Sequence, residues 1–222
     1  MYRILTALTL ALGLSACGEF KDLQEPPEPM GDFLLGHNIV VAPDPVPGPL
    51  TRPATEEEWQ ESITAAIDER FGRYDGDRYF HIAVKVEGYV LALPGIPLVA
   101  NPKSVLIAGV TIWEDETQSK LNEEPKRFTV FERASPETFL SSGLTQNRHA
   151  QRRNLARNLA KKIHDWMLKN PEWFGGEPLE GVEETEEPEI DLSTVNVPID
   201  PETGEPIPVP GEAAPEPPAE GG

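Results

Sequence analysis

Residues 79–87 read Tyr-Phe-His-Ile-Ala-Val-Lys-Val-Glu, a run in which apolar and polar side chains alternate. Every second residue from Phe80 to Val86 is apolar, so these side chains would share one side of an extended chain. The alternation predicts a half-buried strand with one face toward a core. Two further strands are predicted at 105–113 and 127–133. The first of these is apolar on both faces and is therefore expected at the centre of a sheet.

Two amphipathic helices are predicted on either side of these strands. Thr55, followed three residues later by Glu58, forms a capping-box pattern at the start of a helix over 56–72. A second helix is predicted over 146–169, and Asn170-Pro171, directly after this range, is expected to end it. The apolar stripe of this second helix consists of Leu155, Leu159, Ile163, Trp166 and Met167.

A fourth strand is predicted at 33–41, ahead of the first helix, because this run is apolar and β-branched at its end. The order is then strand, helix, three strands, helix. This order predicts an α/β fold, a two-layer sandwich in which both helices pack on one face of a mostly antiparallel sheet of three or four strands.

Charge is distributed unevenly along the 222-residue chain. The sequence has 38 acidic and 19 basic residues, a net charge of −19, which excludes a nucleic-acid partner because phosphate binding needs a positive surface. Residues 55–174 are almost balanced, with 18 acidic and 16 basic side chains. Residues 175–222 hold 14 acidic side chains, ten prolines and no base, a composition that predicts a disordered tail.

The amino terminus has the features of a secretory signal. Arg3 precedes a short apolar run, 4–14, and small residues follow it. The run is too short for a membrane-spanning helix, which needs about 20 apolar residues. The only cysteine, Cys17, follows directly, and a single cysteine excludes both a disulfide framework and a thiolate zinc site within one chain.

The tetrapeptide Leu14-Ser15-Ala16-Cys17 resembles the lipobox of bacterial lipoproteins. The resemblance implies cleavage before Cys17, a diacylglyceryl group on its thiol and an acyl chain on the new amino terminus. It also implies a position in the cell envelope, and Gly18, in place of aspartate, favours the outer membrane with the domain on its periplasmic face. The alternative is an ordinary cleavage site followed by a free cysteine.

These features predict four segments in the chain. They are a signal peptide at 1–16, a lipidated flexible tether at 17–32, an α/β domain at 33–174 and the acidic proline-rich tail at 175–222. The membrane, through the lipid anchor, is the partner that this organisation implies.

The second helix carries a run of basic residues that could bind an anionic partner, such as a lipid headgroup, an acidic protein or the chain's own tail. Its candidate binding residues are Arg148, Arg152, Arg153, Arg157 and Lys161. The alternative is a solvated surface paired with the acidic first helix, through Glu57, Glu58 and Glu61.

The apolar stretch 89–100 joins the first two central strands. If it is exposed, it would bind an envelope protein or lipid; if it folds back on the sheet, it belongs to the core. Its candidate contact residues are Leu93, Ile96 and Leu98.

No motif in the sequence indicates catalysis. His37, His81, His149 and His164 lack the spacing of metal ligands, and the acidic run 114–116 is typical of a solvated turn. We therefore expect no metal, no cofactor and no small-molecule substrate. The expectation is a non-catalytic accessory or binding protein; the alternatives are a spacer that works through its tail and an envelope hydrolase that uses carboxylates.

Overall fold

A computed structural model describes residues 21–93, 104–132 and 148–177, together with Ile190 and Leu192. Its strands are β1 (Phe33–Val41), β2 (Val46–Pro47), β3 (Arg78–Val90), β4 (Val105–Glu114), β5 (Ser119–Lys120) and β6 (Lys126–Phe131). Its helices are α1 (Glu56–Phe71) and α2 (Arg148–Met167), with short 3-10 turns at Lys21–Leu23 and Pro171–Phe174. The end of the predicted strand 127–133 and the start of the predicted helix 146–169 lie outside the described residues.

The described strands form one six-stranded sheet, larger than the three or four strands predicted, and it is mixed, with antiparallel pairs in the majority as predicted. Strands β1 and β2 run parallel to β3, whereas β4 pairs antiparallel with β3, β5 and β6. The predicted α/β class is confirmed. The parallel pairing of β1 with β3 has a clear cause. Helix α1 connects β1 to the adjacent β3, and a crossover of this kind returns the chain in its original direction.

Both helices pack on the same face of the sheet, as the sequence predicts. The inward residues of β3 are those of the alternating run, from Phe80 to Val86, and all are at most 1% exposed. We call the opposite side the back face. It carries Ile39 of β1, Ala83 of β3 and Ile107 of β4.

Helix α1 begins with the predicted capping box. The Thr55 hydroxyl accepts from the Glu58 amide at 3.2 Å, and the Glu58 carboxylate accepts from the Thr55 amide at 3.0 Å. These two bonds satisfy backbone donors that the first helical turn leaves without partners. Trp59, Ile63 and Ile67 of this helix are completely buried in the core.

Helix α2 buries the predicted apolar stripe, of which Trp166 is the most exposed member at 6%. Two polar bonds fix its position against β6. Asn158 donates to the carbonyl of Phe131 at 3.0 Å, and the Lys162 ammonium donates to the carbonyl of Thr129 at 2.9 Å. None of the helices among the described residues is both long and apolar enough to cross a bilayer.

The described part of the segment expected to be a flexible tether, residues 21–32, packs against the domain. Met30 is 4% exposed and belongs to the core. The Asp32 amide donates to the carbonyl of Phe174 at 3.0 Å, and Phe174 is itself buried. The two ends of the domain are therefore joined. Beyond residue 177, only Ile190 and Leu192 of the tail are described.

Candidate functional site

A cleft of about 80 Å³ lies where the ends of α1 and α2 meet the amino-terminal segment. The segment 22–28 forms one wall, and charged and aromatic side chains form the other. The lining side chains from the helices and the following turn are Arg70, Arg73, Tyr74, Lys161 and His164.

Tyr74 lies at the centre of this cleft. Its hydroxyl donates to the carbonyl of Glu28 at 2.9 Å and lies 2.6 Å from Nε2 of His164. Since the hydroxyl has one proton, His164 donates to it from Nε2 in this arrangement. Burial raises the pKa of Tyr74 to about 12, so the hydroxyl stays protonated at neutral pH.

Two arginines bind the amino-terminal segment. Arg70 is 5% exposed, and its guanidinium lies 2.8 Å from the Asp22 carboxylate. Arg73 donates to the carbonyl of Asp22 at 3.2 Å and to the carbonyl of Glu25. Burial alone would raise the pKa of Asp22, but the hydrogen bond and the charge of Arg70 lower it below 3.8. The cleft therefore holds the segment that precedes the domain through both side-chain and backbone groups.

A second polar cluster is found on the back face. The His37 amide donates to Nδ1 of His81 at 2.8 Å, so that nitrogen is an acceptor, and Nε2 of His81 lies 3.0 Å from the Asp115 carboxylate. His81 is therefore a neutral ring that donates from Nε2. Across the described ranges, no three His, Cys, Asp or Glu side chains form a group that could hold a metal ion.

The predicted basic surface of α2 is only partly exposed. Arg152 is 2% exposed and does not lie on the surface that the sequence predicts for it. Its guanidinium is 3.3 Å from Glu58 and 2.8 Å from Nδ1 of His149. Burial lowers the pKa of Arg152, and the charge of Glu58 opposes this. Arg152 thus belongs to the packing between the helices.

Two other bases of α2, Arg148 and Arg157, pair with acids of α1, as in the alternative interpretation. Arg157 makes two bonds of 2.8 Å to Glu69 of α1, and Arg148 lies 3.6 Å from Glu58. Lys161 pairs with Asp165 on its own helix at 2.9 Å. The α1 partners in these contacts are Glu58, which the alternative names, and Glu69, which it does not name. Arg148 and Arg153 are the exposed residues among the five candidates.

The apolar stretch after β3 is buried as far as it is described. Leu91 is completely buried and Ala92 is 6% exposed, while Leu93 is half-buried. The Leu91 amide donates to the Thr51 hydroxyl at 2.7 Å, which fixes the stretch over the start of α1. Ile96 and Leu98 lie outside the described residues, as does Cys17.

Sequence reasoning missed the cleft around Tyr74. The segment 22–28 is about 50 residues from Arg70 to Tyr74 and more than 130 residues from Lys161 and His164 in the chain, and Arg73-Tyr74 forms no periodic pattern. The available signal was the two arginines at and just after the end of α1, Arg70 and Arg73, since a buried guanidinium must find an acidic or carbonyl partner.

No family model and no curated protein matches the sequence. Solved structures show distant likenesses. A protein of Caulobacter crescentus, described as a "putative lipoprotein", is 11% identical, with 64% of this chain and 93% of that chain covered and a TM-score of 0.34.

A Xanthomonas campestris protein of family DUF330 is 13% identical, with 65% and 88% covered and a TM-score of 0.38. A minor lipoprotein of Acinetobacter baumannii is 15% identical, with 59% and 91% covered and a TM-score of 0.26. At TM-scores below 0.5, these likenesses are too distant to indicate what this chain does.

Proposed function

We propose that the chain is an envelope lipoprotein, anchored through Cys17, whose domain is a non-catalytic accessory or binding module. The sequence Leu14–Cys17 carries this proposal. Two or three acyl chains at Cys17 would suffice for stable anchoring, whereas one would be marginal. Gly18 favours the outer membrane, with the domain on its periplasmic face.

The amino-terminal segment supports this role, because the chain is bound to the domain soon after Cys17. Asp22, five residues further on, pairs with Arg70. Five extended residues span at most about 18 Å. An anchor at Cys17 would therefore hold the domain close to the lipid surface, with the Arg70 end of α1 nearest to it.

The back face supports a binding role. Ile39 and Tyr79 are 52% and 53% exposed, and Val41 is 43% exposed. Ile39 and Val41 belong to β1, which pairs only with β3 among the described strands. Exposed apolar side chains beside an open strand edge form a surface that an envelope protein partner could cover.

The alternative function, a hydrolase that uses carboxylates, needs acidic side chains that are free to act on a substrate. Glu114 is 7% exposed and accepts from Arg78 and from the Thr117 hydroxyl, while Asp115 is bound to His81. These pairings support a structural role for both acids.

The spacer reading has one observation in its favour, the concentration of 14 acidic residues and ten prolines in the tail. A chain that ends at Thr194 keeps Leu192 and removes most of the tail. If this chain captures the same cross-linked envelope partners as the full chain, the part of the tail beyond residue 194 is not the docking part.

The anchoring proposal is tested by fractionating cells that express the full chain, Cys17→Ala, Gly18→Ala and Gly18→Asp. We expect the full chain and Gly18→Ala in the outer membrane, Cys17→Ala outside the membrane fractions and Gly18→Asp in the inner membrane. Recovery of Cys17→Ala in the same membrane fraction as the full chain would overturn the proposal.

A further inference from the structure

A small apolar cluster lies on the back face, separate from the main core. It consists of Val90, Val105 and Ile107, which are 0%, 0% and 2% exposed. Their chain neighbours Tyr89 and Leu106 belong to the core between the sheet and the helices. The cluster therefore faces away from the helices, on a side of the sheet that they do not cover.

The described residue that packs on this cluster is Leu192, from the acidic tail. Two glycines leave room for it. A Cβ on Gly88 would stand 2.4 Å from Cδ1 of Leu192, and a Cβ on Gly48 would stand 3.1 Å from its carbonyl oxygen. Any larger residue at these two positions would compete with Leu192 for the same space.

The sequence around Leu192 differs from the rest of the tail. Residues 186–197 read Glu-Glu-Pro-Glu-Ile-Asp-Leu-Ser-Thr-Val-Asn-Val, so apolar side chains follow an acidic start. Ile190 and Leu192 are also the only tail residues beyond 177 that the structure describes, and both are half-buried. The described contact thus falls in a part of the tail that has apolar side chains to bury.

We propose that the back face has a groove for a leucine side chain, occupied by the chain's own segment around Leu192. The groove is formed by Val90, Val105 and Ile107 together with Gly48 and Gly88. The tail is then a detachable cover for the back face. Its release would add the three cluster residues to the apolar surface already exposed at Ile39 and Val41.

A single leucine side chain makes a weak contact, so the covalent link is essential to its occupancy. A short flexible link gives an effective concentration in the millimolar range, which populates a contact that two separate molecules would rarely form. The same segment added as a free peptide should therefore bind only at millimolar concentrations. The inference goes beyond the proposed function, since it requires neither the anchor nor a membrane.

The test is methyl NMR on the full chain, with the methyl groups of Val90, Val105 and Ile107 as probes. Leu192→Asp should shift all three, and Leu192→Ala should shift them in the same direction by less. Ile207→Asp, the same chemical change further along the tail, is the matched control and should shift none. Unchanged probes in Leu192→Asp would overturn the proposal.

The second step adds a synthetic peptide of residues 186–197 to the Leu192→Asp chain at millimolar concentration. The peptide should return the three probes toward their positions in the unchanged chain, and the same peptide with Leu192→Asp should not. If the unmodified peptide moves none of the probes, the groove does not bind the segment and the proposal fails. Neither result bears on lipidation of Cys17, so the two proposals fail independently.

Discussion

Tyr74 shows how one side chain connects three parts of the molecule. It follows α1, it bonds to the carbonyl of Glu28 in the amino-terminal segment, and it contacts His164 of α2. Both bonds pass through one hydroxyl group, which is the only polar atom of the side chain. This hydroxyl therefore contributes to holding the segment on the domain.

Replacing Tyr74 with phenylalanine should destabilise the fold by about 1–2 kcal/mol, because the Glu28 carbonyl and the buried His164 ring each lose a partner. Urea unfolding measures this change. Tyr79→Phe is the matched control, since Tyr79 is 53% exposed, and it should stay within about 0.5 kcal/mol of the unchanged chain. Equal losses in the two variants would contradict the role given to the Tyr74 hydroxyl.

Asp22 links stability to pH. Its pKa is lower in the folded chain than the ordinary value of 3.8, because the hydrogen bond and charge of Arg70, with the charge of Lys161 and a backbone hydrogen bond, together outweigh the effect of burial. When the pKa of a carboxyl group is lower in the folded than in the unfolded chain, the group stabilises the fold at any pH above its pKa in the unfolded chain. This stabilisation is lost as the pH falls through the pKa of the folded chain. Unfolding of Asp22→Asn, followed from pH 5 to pH 2, should therefore show a weaker loss of stability below pH 4. Parallel curves for the variant and the unchanged chain would argue against the Arg70 pair.

At the scale of elements, the contact between α1 and α2 combines apolar packing with charge pairing. Arg152 is buried beside Glu58, while its neighbour Arg153 is exposed. The sequence predicted both helices and the apolar stripe, because a 3.6-residue period is a local property. It did not separate Arg152 from Arg153, because which of two adjacent arginines faces the partner helix depends on how the helices cross.

The difference between the buried Arg152 and the exposed Arg153 can be measured by truncating each side chain. Arg152→Ala should cost about 2 kcal/mol, since it removes buried contacts and leaves Glu58 with one cation fewer. Arg153→Ala, one residue away, should change the free energy of unfolding by less than about 0.5 kcal/mol. Chemical denaturation of both variants checks this, and a larger loss for Arg153→Ala would refute the placement of α2.

The sheet, like the helices, could be predicted from the sequence only in part. Alternation predicted β3 and its inward face, and the capping box predicted where α1 begins. The parallel pairing of β1 with β3 was not predicted, although the order strand, helix, strand favours it. The cleft around Tyr74 could not be predicted from spacing, because its walls come from segments that are distant in the chain.

At the scale of the whole molecule, the amino-terminal segment sets the orientation of the domain. Asp22 is bound at the end of α1 that carries Arg70, whereas Arg148 pairs with Glu58 near the start of that helix. A 16-residue helix is about 24 Å long, so its two ends would differ clearly in their distance from an anchoring membrane.

Fluorescent probes attached to introduced cysteines can measure this difference. The single native cysteine, Cys17, carries the lipid in the proposed anchor, so its thiol would not take up the probe. We expect a probe at Asp75→Cys, just after α1, to be quenched more strongly by headgroup-labelled lipids than one at Glu57→Cys, in the first turn. Both positions are exposed. Equal quenching, or stronger quenching at residue 57, would contradict the proposed orientation.

The most direct measurement is the intact mass of the protein purified from bacterial membranes, with its amino-terminal peptide sequenced by fragmentation. The account predicts a chain that begins at Cys17 and carries a diacylglyceryl group, with an acyl chain on its amino terminus. A chain that still begins at Met1, with the Cys17 thiol unmodified, would contradict it.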